Sequence, residues 1–215
     1  MSITQHSYTW YHHLVEVAHD ITDDWNLTES HSLKNGVKPL ITAFPLGDGR
    51  DDDEDVRAMI TRHDDDFHPR LSERFGFSGS FGDGGHGQTG ISGYMDSLRH
   101  HGMVCIRMTV DTRLISLALL NIHDDGMGLY VPLMLTDKDY RGIGAMSFMY
   151  DIIERIADTM KCTVRLRTSS SYASQNHLLE HRHWRTTAVR EHDRGDGIHT
   201  TYHEYGKGTL EQENI

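Results

Sequence analysis

Residues 139–145 contain one arginine and two glycines in a short connection, a combination suited to binding an anion. They join an apolar run typical of a strand to a segment typical of an amphipathic helix. The glycines allow backbone amides to turn inward, and the N–H groups at a helix start bind anions. A plain tight turn is the alternative interpretation, but the strand-to-helix setting favours a pyrophosphate site. Its candidate residues are Arg141, Gly142, Ile143, Gly144 and Ala145.

A proline interrupts the strand that precedes this turn. Pro132 lies in the middle of the apolar run 129–135 and has no N–H to donate to a neighbouring strand. A strand that parts from its neighbour would explain the proline and would open a slot for an extended ligand. The amides of such a ligand could pair with the backbone of Leu133 and Leu135. An ordinary edge strand is the alternative.

The periodicity of apolar residues predicts an α/β fold with a mixed, mostly antiparallel central sheet flanked by helices. We expect the strand 114–122 to be buried on both faces. Residues 76–93 contain eight glycines and are predicted to form a flexible loop. The predicted helices cover residues 10–21, a stretch ending near 60, 94–101, 145–160 and 173–181; the predicted strands cover 37–44, 103–110, 114–122, 129–135, 163–167, 186–191 and 198–205.

Composition limits the classes of protein that fit. The chain has a net charge of −11, and its first 100 residues carry most of that excess, which disfavours a broad nucleic-acid interface and suits an amine-bearing partner. Cys105 and Cys162 lie in apolar runs and are predicted to be buried thiols, as expected of a cytoplasmic protein. No apolar segment is long enough to predict a membrane span. The histidine-rich segments 63–68 and 181–183 match no known metal-binding spacing, so no metal is expected.

The turn and its flanking elements resemble the Gcn5-related N-acetyltransferase superfamily, whose signature is Gln/Arg-x-x-Gly-x-Gly/Ala after a bulged fourth strand. The similarity covers about residues 103–205, with Arg141 and Gly144 matching and Met146 standing where the family has Gly or Ala. A second similar segment is 178–184, in which Leu179 replaces the tyrosine that often protonates the departing thiolate.

The resemblance implies an enzyme that transfers an acetyl or related acyl group from acetyl-CoA to an amine by direct attack in a ternary complex. In that family the turn binds the pyrophosphate of coenzyme A, and the pantetheine lies along the fourth strand. The acceptor would be a protein or a small molecule. We expect a helical extension at 1–35, one acyltransferase domain at 36–207 and a flexible tail at 208–215.

The residues that move protons are less defined by the sequence. Tyr172 and Ser171, near the junction of the predicted fifth strand and its following helix, are candidate proton donors, as is His177. A packed aromatic, a helix cap and a surface histidine are their respective alternatives. Tyr130 is the nearest polar group in the fourth strand, and a chain of water molecules could serve as the base.

Two other functions remain open. The first is a non-catalytic binding protein whose acidic segments, 51–55 and 64–66, engage a basic protein partner. The second is a transferase that acts on a nucleobase or a charged tRNA. Its local basic patch would consist of Arg165, Arg167, Arg182, Arg185 and Arg190.

Overall fold

The computed structural model describes residues 5–28, 31–47, 52–66, 90–123, 128–193 and 199–208. The helices are α1 (Gln5–Leu27), α2 (Asp52–Arg62), α3 (Gly90–His100), α4 (Ala145–Thr159) and α5 (Ala173–His181). The strands are β1 (Leu40–Pro45), β2 (Val104–Val110), β3 (Arg113–Ile122), β4 (Gly128–Thr136), β5 (Thr163–Ser169), β6 (Arg185–Asp193) and β7 (His199–Lys207).

The seven strands form one sheet in the order β1-β2-β3-β4-β5-β7-β6. Every neighbouring pair is antiparallel except β4 and β5, which are parallel and are joined through α4. A parallel pair needs such a crossover, whereas the antiparallel pair β2 and β3 needs only the turn at Asp111 and Thr112. The predicted mixed, mostly antiparallel sheet is confirmed.

The sheet separates two apolar layers. Alternate side chains of a strand point to opposite faces, so β3 contributes Ala118 and Leu120 to one layer and Leu117 and Leu119 to the other. Helices α1 and α4 cover the first layer, and α2 and α3 cover the second. This arrangement confirms the prediction that the strand at 114–122, here β3, is buried on both faces, because helices cover the sheet on each side.

Helix α1 is part of this core. Its buried residues Leu14, Val17, Ile21 and Trp25 recur at helical spacing and pack in the same layer as α4. The side chain of Asn26 both donates to the carbonyl of Ile41 (2.6 Å) and accepts from its N–H (2.9 Å), which ties the end of α1 to β1. The division of the chain at residue 35 stays a prediction.

Some sequence-based boundaries differ from the structure. Gly90 and Gly93, predicted to lie in the glycine-rich loop, belong to α3, because the apolar residues that follow give this helix a face to bury. Residues 76–89 of that predicted loop lie outside the described residues, as does the predicted tail from residue 209 onward. Cys105 and Cys162 are buried thiols as predicted. Among the helices that the structure describes, none has the length and apolar content needed to cross a membrane.

Candidate active site

Strands β4 and β5 part halfway along their length. Their ladder joins residues 128–131 to residues 163–166, and β5 then continues against β7 alone. On its other side β4 has a register shift opposite the Leu119 to Asn121 step, at the position of Pro132. A bulge at a residue without an N–H bends the strand away from its neighbour. The second half of β4 therefore borders an opening in the sheet, which agrees with the first of the two interpretations of Pro132 and not with an ordinary edge strand.

The register decides which backbone groups of β4 face this opening. The N–H of Asp137 donates to the carbonyl of Ile115 (2.8 Å), and the carbonyl of Leu135 accepts from Ser116 Oγ (2.8 Å), so both residues face β3. Backbone groups alternate sides along a strand. Leu133 therefore also directs its backbone toward β3, whereas Met134 and Thr136 present theirs to the opening.

The turn after β4 is built by short-range hydrogen bonds and two left-handed glycines. Asp137 caps a single 3₁₀ turn over Lys138–Tyr140 by accepting from the N–H of Asp139 (3.1 Å). Gly142 (φ +79°) and Gly144 (φ +95°) then reverse the chain into α4. A Cβ at Gly142 would have no heavy atom of the described residues within 4 Å.

Helix α4 begins without a side-chain cap. Its N-cap is Gly144, which has no side chain to accept hydrogen bonds from the first N–H groups of the helix. Such a helix start carries partial positive charge and binds phosphate oxygens. The local geometry thus fits the anion site that the sequence predicted for Arg141 to Ala145.

Lys34 contributes a second positive charge that the sequence did not reveal. Its N–H donates to the carbonyl of Ile143 (2.9 Å), and its side chain passes 3.8 Å from the position of a Cβ at Gly144. Lys34 follows α1 and is more than 100 residues from the turn. No local pattern could have indicated this contact, because it depends on how α1 packs beside α4.

Arg141 is already paired with a carboxylate. Its Nη2 contacts Asp66 Oδ2 at 2.6 Å, and its Nε donates to the carbonyl of Thr136 (3.3 Å). Lys138 Nζ (3.1 Å) and His63 Nδ1 (2.9 Å) also contact the Asp66 carboxylate. Burial raises the pKa of Asp66, but hydrogen bonds from His63, Arg141 and Lys138 outweigh it and lower that pKa to about 2. The fold therefore brings three hydrogen-bond donors to Asp66, from the residue that follows α2, from the 3₁₀ turn after β4 and from Arg141.

The candidate proton donors lie at different places. Tyr172 is half-buried at the start of α5, and its Oη donates to the backbone carbonyl of Asp66 (2.7 Å). Ser171 is exposed, and its Oγ lies 2.9 Å from Ser169 Oγ. Tyr130 lies in the paired half of β4, opposite Arg165. Of the three, the structure brings Tyr172 to Asp66 and, through it, to Arg141.

The two departures from the family pattern have structural roles. Leu179 is fully buried in the core layer beneath α4 and supplies no hydroxyl group. Met146 is half-buried and packs against the same layer.

His177 is exposed on α5 and contacts the ring of His181. Within the described parts of the chain, no group of three His, Cys, Asp or Glu residues is arranged to hold a metal ion.

Comparisons with known proteins identify the fold. No protein-family model matches the chain, and no curated protein matches it in sequence. The ribosomal-protein-S18-alanine N-acetyltransferase from Escherichia coli has a TM-score of 0.53 and 14% identity, covering 83% of this chain and 99% of that protein. Arabidopsis thaliana NAA60, solved with a bisubstrate analogue, has a TM-score of 0.53 and 13% identity, covering 78% and 97%.

A third solved structure agrees with these two. The GNAT-family acetyltransferase from Bacillus cereus ATCC 10987 has a TM-score of 0.50 and 10% identity, covering 80% of this chain and 99% of that protein. Each of the three likenesses covers more than three quarters of this chain. Together with the strand order and the opening between β4 and β5, they show that this chain has the fold of the Gcn5-related N-acetyltransferases.

Proposed function

We propose that the protein is an N-acyltransferase that moves an acetyl or related acyl group from acyl-CoA to an amine. One observation carries the proposal: the opening between β4 and β5 ends at an uncapped, glycine-lined helix start. An opening along a strand suits an extended chain with amide groups, and the helix start suits a diphosphate. Coenzyme A combines both chemistries in one molecule.

The binding residues follow from the geometry of the turn. The amides that follow Arg141 would hold the diphosphate, with Lys34 and Arg141 supplying positive charge. The backbone groups of Met134 and Thr136, which face the opening, would pair with the pantetheine amides. The predicted ligands Leu133 and Leu135 would instead shape the strand, since their side chains pack beneath α2 and α3.

The reaction that fits this opening is direct attack in a ternary complex. Acyl-CoA supplies an activated thioester; the amine nitrogen forms a bond to its carbonyl carbon, and the carbon–sulfur bond breaks. The attacking ammonium must first lose a proton, for which a chain of water molecules suffices. The departing thiolate takes up a proton, and Tyr172 is our proposed donor, because its hydroxyl group contacts the backbone of Asp66, whose carboxylate pairs with Arg141 after β4. Ser171 and Tyr130 are less suited by position.

An amine acceptor agrees with the charge of the chain, which is −11 overall. The alternative of a nucleic-acid acceptor relied on five arginines, three of which are paired with carboxylates. Arg167 and Arg190 both contact Glu204 Oε1, at 2.5 Å and 2.9 Å, and Arg182 contacts Asp151 and Glu154. Their charge is largely neutralised locally, so no separate proposal for a nucleic acid follows.

Calorimetric titration with coenzyme A tests the binding step. The wild type should bind with saturable heat, and Lys34→Ala should weaken binding several-fold because one cation beside the diphosphate is lost. Lys38→Ala is the matched control, since Lys38 is also exposed and lies four residues along the same segment. Absence of coenzyme A binding both by the wild type and by Asp66→Asn, which removes the carboxylate beside Arg141, would remove the proposal. Mass spectrometry of peptide and small amine acceptors after incubation with acetyl-CoA would then identify the acyl acceptor.

A further inference from the structure

Asp66 connects the two sides of the opening. Its carboxylate contacts Arg141 and Lys138, which follow β4, at 2.6 Å and 3.1 Å. Its backbone carbonyl accepts a hydrogen bond from Tyr172 Oη (2.7 Å), at the start of α5 beyond β5. We call these contacts the Asp66 bridge. One residue of the turn Asp64–Asp66, which follows α2, therefore contacts both the segment after β4 and the start of α5.

The bridge also uses groups that a ligand would need. Arg141 is the predicted phosphate-binding cation, and its Nε donates to the Thr136 carbonyl, which faces the opening. The hydroxyl group of Tyr172, the proposed proton donor, is engaged by the Asp66 carbonyl. In this arrangement the Asp66 carboxylate engages the cation proposed for the diphosphate, and the Asp66 carbonyl engages the hydroxyl group proposed for the thiolate.

The base of the bridge contains an unsatisfied group. His63 is fully buried, and its Nδ1 contacts Asp66 Oδ2 at 2.9 Å. Its Nε2 is buried and has no hydrogen-bond partner among the residues that the structure describes. A buried polar nitrogen without a partner is unfavourable and calls for a physical explanation. It is consistent with a segment whose hydrogen bonding is completed in a second arrangement.

We propose that the Asp66 bridge closes the site and competes with the diphosphate of acyl-CoA for Arg141 and Lys138. Entry of the diphosphate displaces the carboxylate, and the turn Asp64–Asp66 then releases Tyr172. A diphosphate carries more negative charge than a carboxylate and offers more acceptor oxygens, so it can replace Asp66 at these cations. The inference rests on the proposed acyl-CoA function and adds to it a contact that opposes binding.

Calorimetric titration of coenzyme A into the wild type and Asp66→Asn tests the competition. The asparagine keeps an acceptor for His63 but removes the negative charge, so we expect coenzyme A to bind about five- to tenfold more tightly. Asp24→Asn is the matched control, because Asp24 pairs with Arg155 at 2.8 Å on the far part of α4. That variant makes the same change in net charge and should bind like the wild type.

A second variant separates the two ends of the bridge. Tyr172→Phe removes the hydroxyl group that holds the Asp66 carbonyl and leaves the carboxylate contacts in place, so it should tighten coenzyme A binding by a smaller factor. Thermal unfolding of each variant verifies that it is folded. If Asp66→Asn does not fold, an increase in affinity in Tyr172→Phe supports the bridge, and no increase overturns it.

The outcomes distinguish the bridge from the proposed function. Binding by Asp66→Asn that is tighter than that of the wild type, or seen only in the variant, supports the bridge. Wild-type binding with an equal or weaker affinity in Asp66→Asn overturns the bridge and leaves the acyl-CoA proposal in place. Absence of binding in the wild type and both variants overturns both.

Discussion

Replacement of Gly144 by alanine tests the central geometry most directly. Gly144 has φ +95° and ψ 1°, a conformation that L-residues rarely adopt, and it is the N-cap of α4. An added Cβ would lie 3.8 Å from Lys34 Cγ, an ordinary van der Waals distance, so no clash contributes. In the folded state the cost of the substitution is therefore backbone strain.

The magnitude of that strain can be worked out. A non-glycine residue held in a sparsely populated region costs about 1–3 kcal/mol. Alanine also restricts the unfolded chain, which returns about 0.4–1 kcal/mol. We expect Gly144→Ala to lower the free energy of unfolding by about 1–2 kcal/mol. For a chain of this length each kcal/mol lowers Tm by about 2–4 °C.

Binding should respond more strongly than stability. If the strained turn relaxes, amides at the start of α4 lose their common direction, and one charge-assisted hydrogen bond to phosphate contributes about 1.5–3 kcal/mol. Coenzyme A affinity should then fall at least about tenfold. Gly102→Ala is the control, because Gly102 also has positive φ (+61°) but lies between α3 and β2.

Chemical denaturation and calorimetric titration measure the two effects separately. Both glycine variants should lose stability, but only Gly144→Ala should lose coenzyme A binding. Unchanged affinity in Gly144→Ala would refute the reasoning that the amides after Tyr140 hold a diphosphate. Unchanged stability would refute the strained conformation itself.

Three further predictions concern stability and reactivity. Arg182→Met removes contacts to Asp151, Glu154 and Ser147 and should lower the free energy of unfolding by about 1–3 kcal/mol. The loss is limited because Glu154 keeps its contacts with Lys207 and Trp184. Urea denaturation measures this loss, and a value below about 0.5 kcal/mol would contradict the prediction. Ionised Asp66, whose pKa is lowered from 3.8 to about 2, stabilises the fold above about pH 4 and loses this contribution as the pH falls toward 2. The stability difference between wild type and Asp66→Asn should therefore shrink over that interval in pH-dependent unfolding, and a constant difference would count against the ion pairs. Burial raises the pKa of Cys162 to about 11, so its thiol should react slowly with iodoacetamide at pH 8. Intact-mass analysis should find little labelling until the protein is denatured. Rapid labelling of the native protein would contradict the burial of this thiol.

The strand, turn and helix of residues 129–160 could be predicted from the sequence because their signals are local. Periodic apolar residues define α4, and glycines in a short connection permit the left-handed turn at Gly142 and Gly144. Pro132 predicted the parting of β4 from β5 for an equally local reason, since a residue without an N–H cannot continue a ladder. These features depend on a few neighbouring residues, whatever the rest of the chain does.

Which backbone groups of β4 face the opening depends on the register of β4 against β3, and the sequence did not predict that register. The sequence indicated an extended ligand beside β4 but assigned the pairing to Leu133 and Leu135. The bulge at Pro132 and the pairing of Asp137 with β3 turn Met134 and Thr136 to the opening instead. A shift of one residue exchanges the two sides of a strand, and no composition pattern records where a bulge falls.

The glycine turn, the helix that follows it and the succession of strands and helices along the chain could be inferred from the residues alone, because they follow from short-range sterics and apolar periodicity. The contacts of Lys34 with Gly144, of Asp66 with Arg141, and of Tyr172 with Asp66 required the folded structure. These contacts join residues separated by about 75 to 110 positions. Their physical origin is the packing of α1 and α2 on opposite faces of the sheet, which brings charges together that have no relation along the chain.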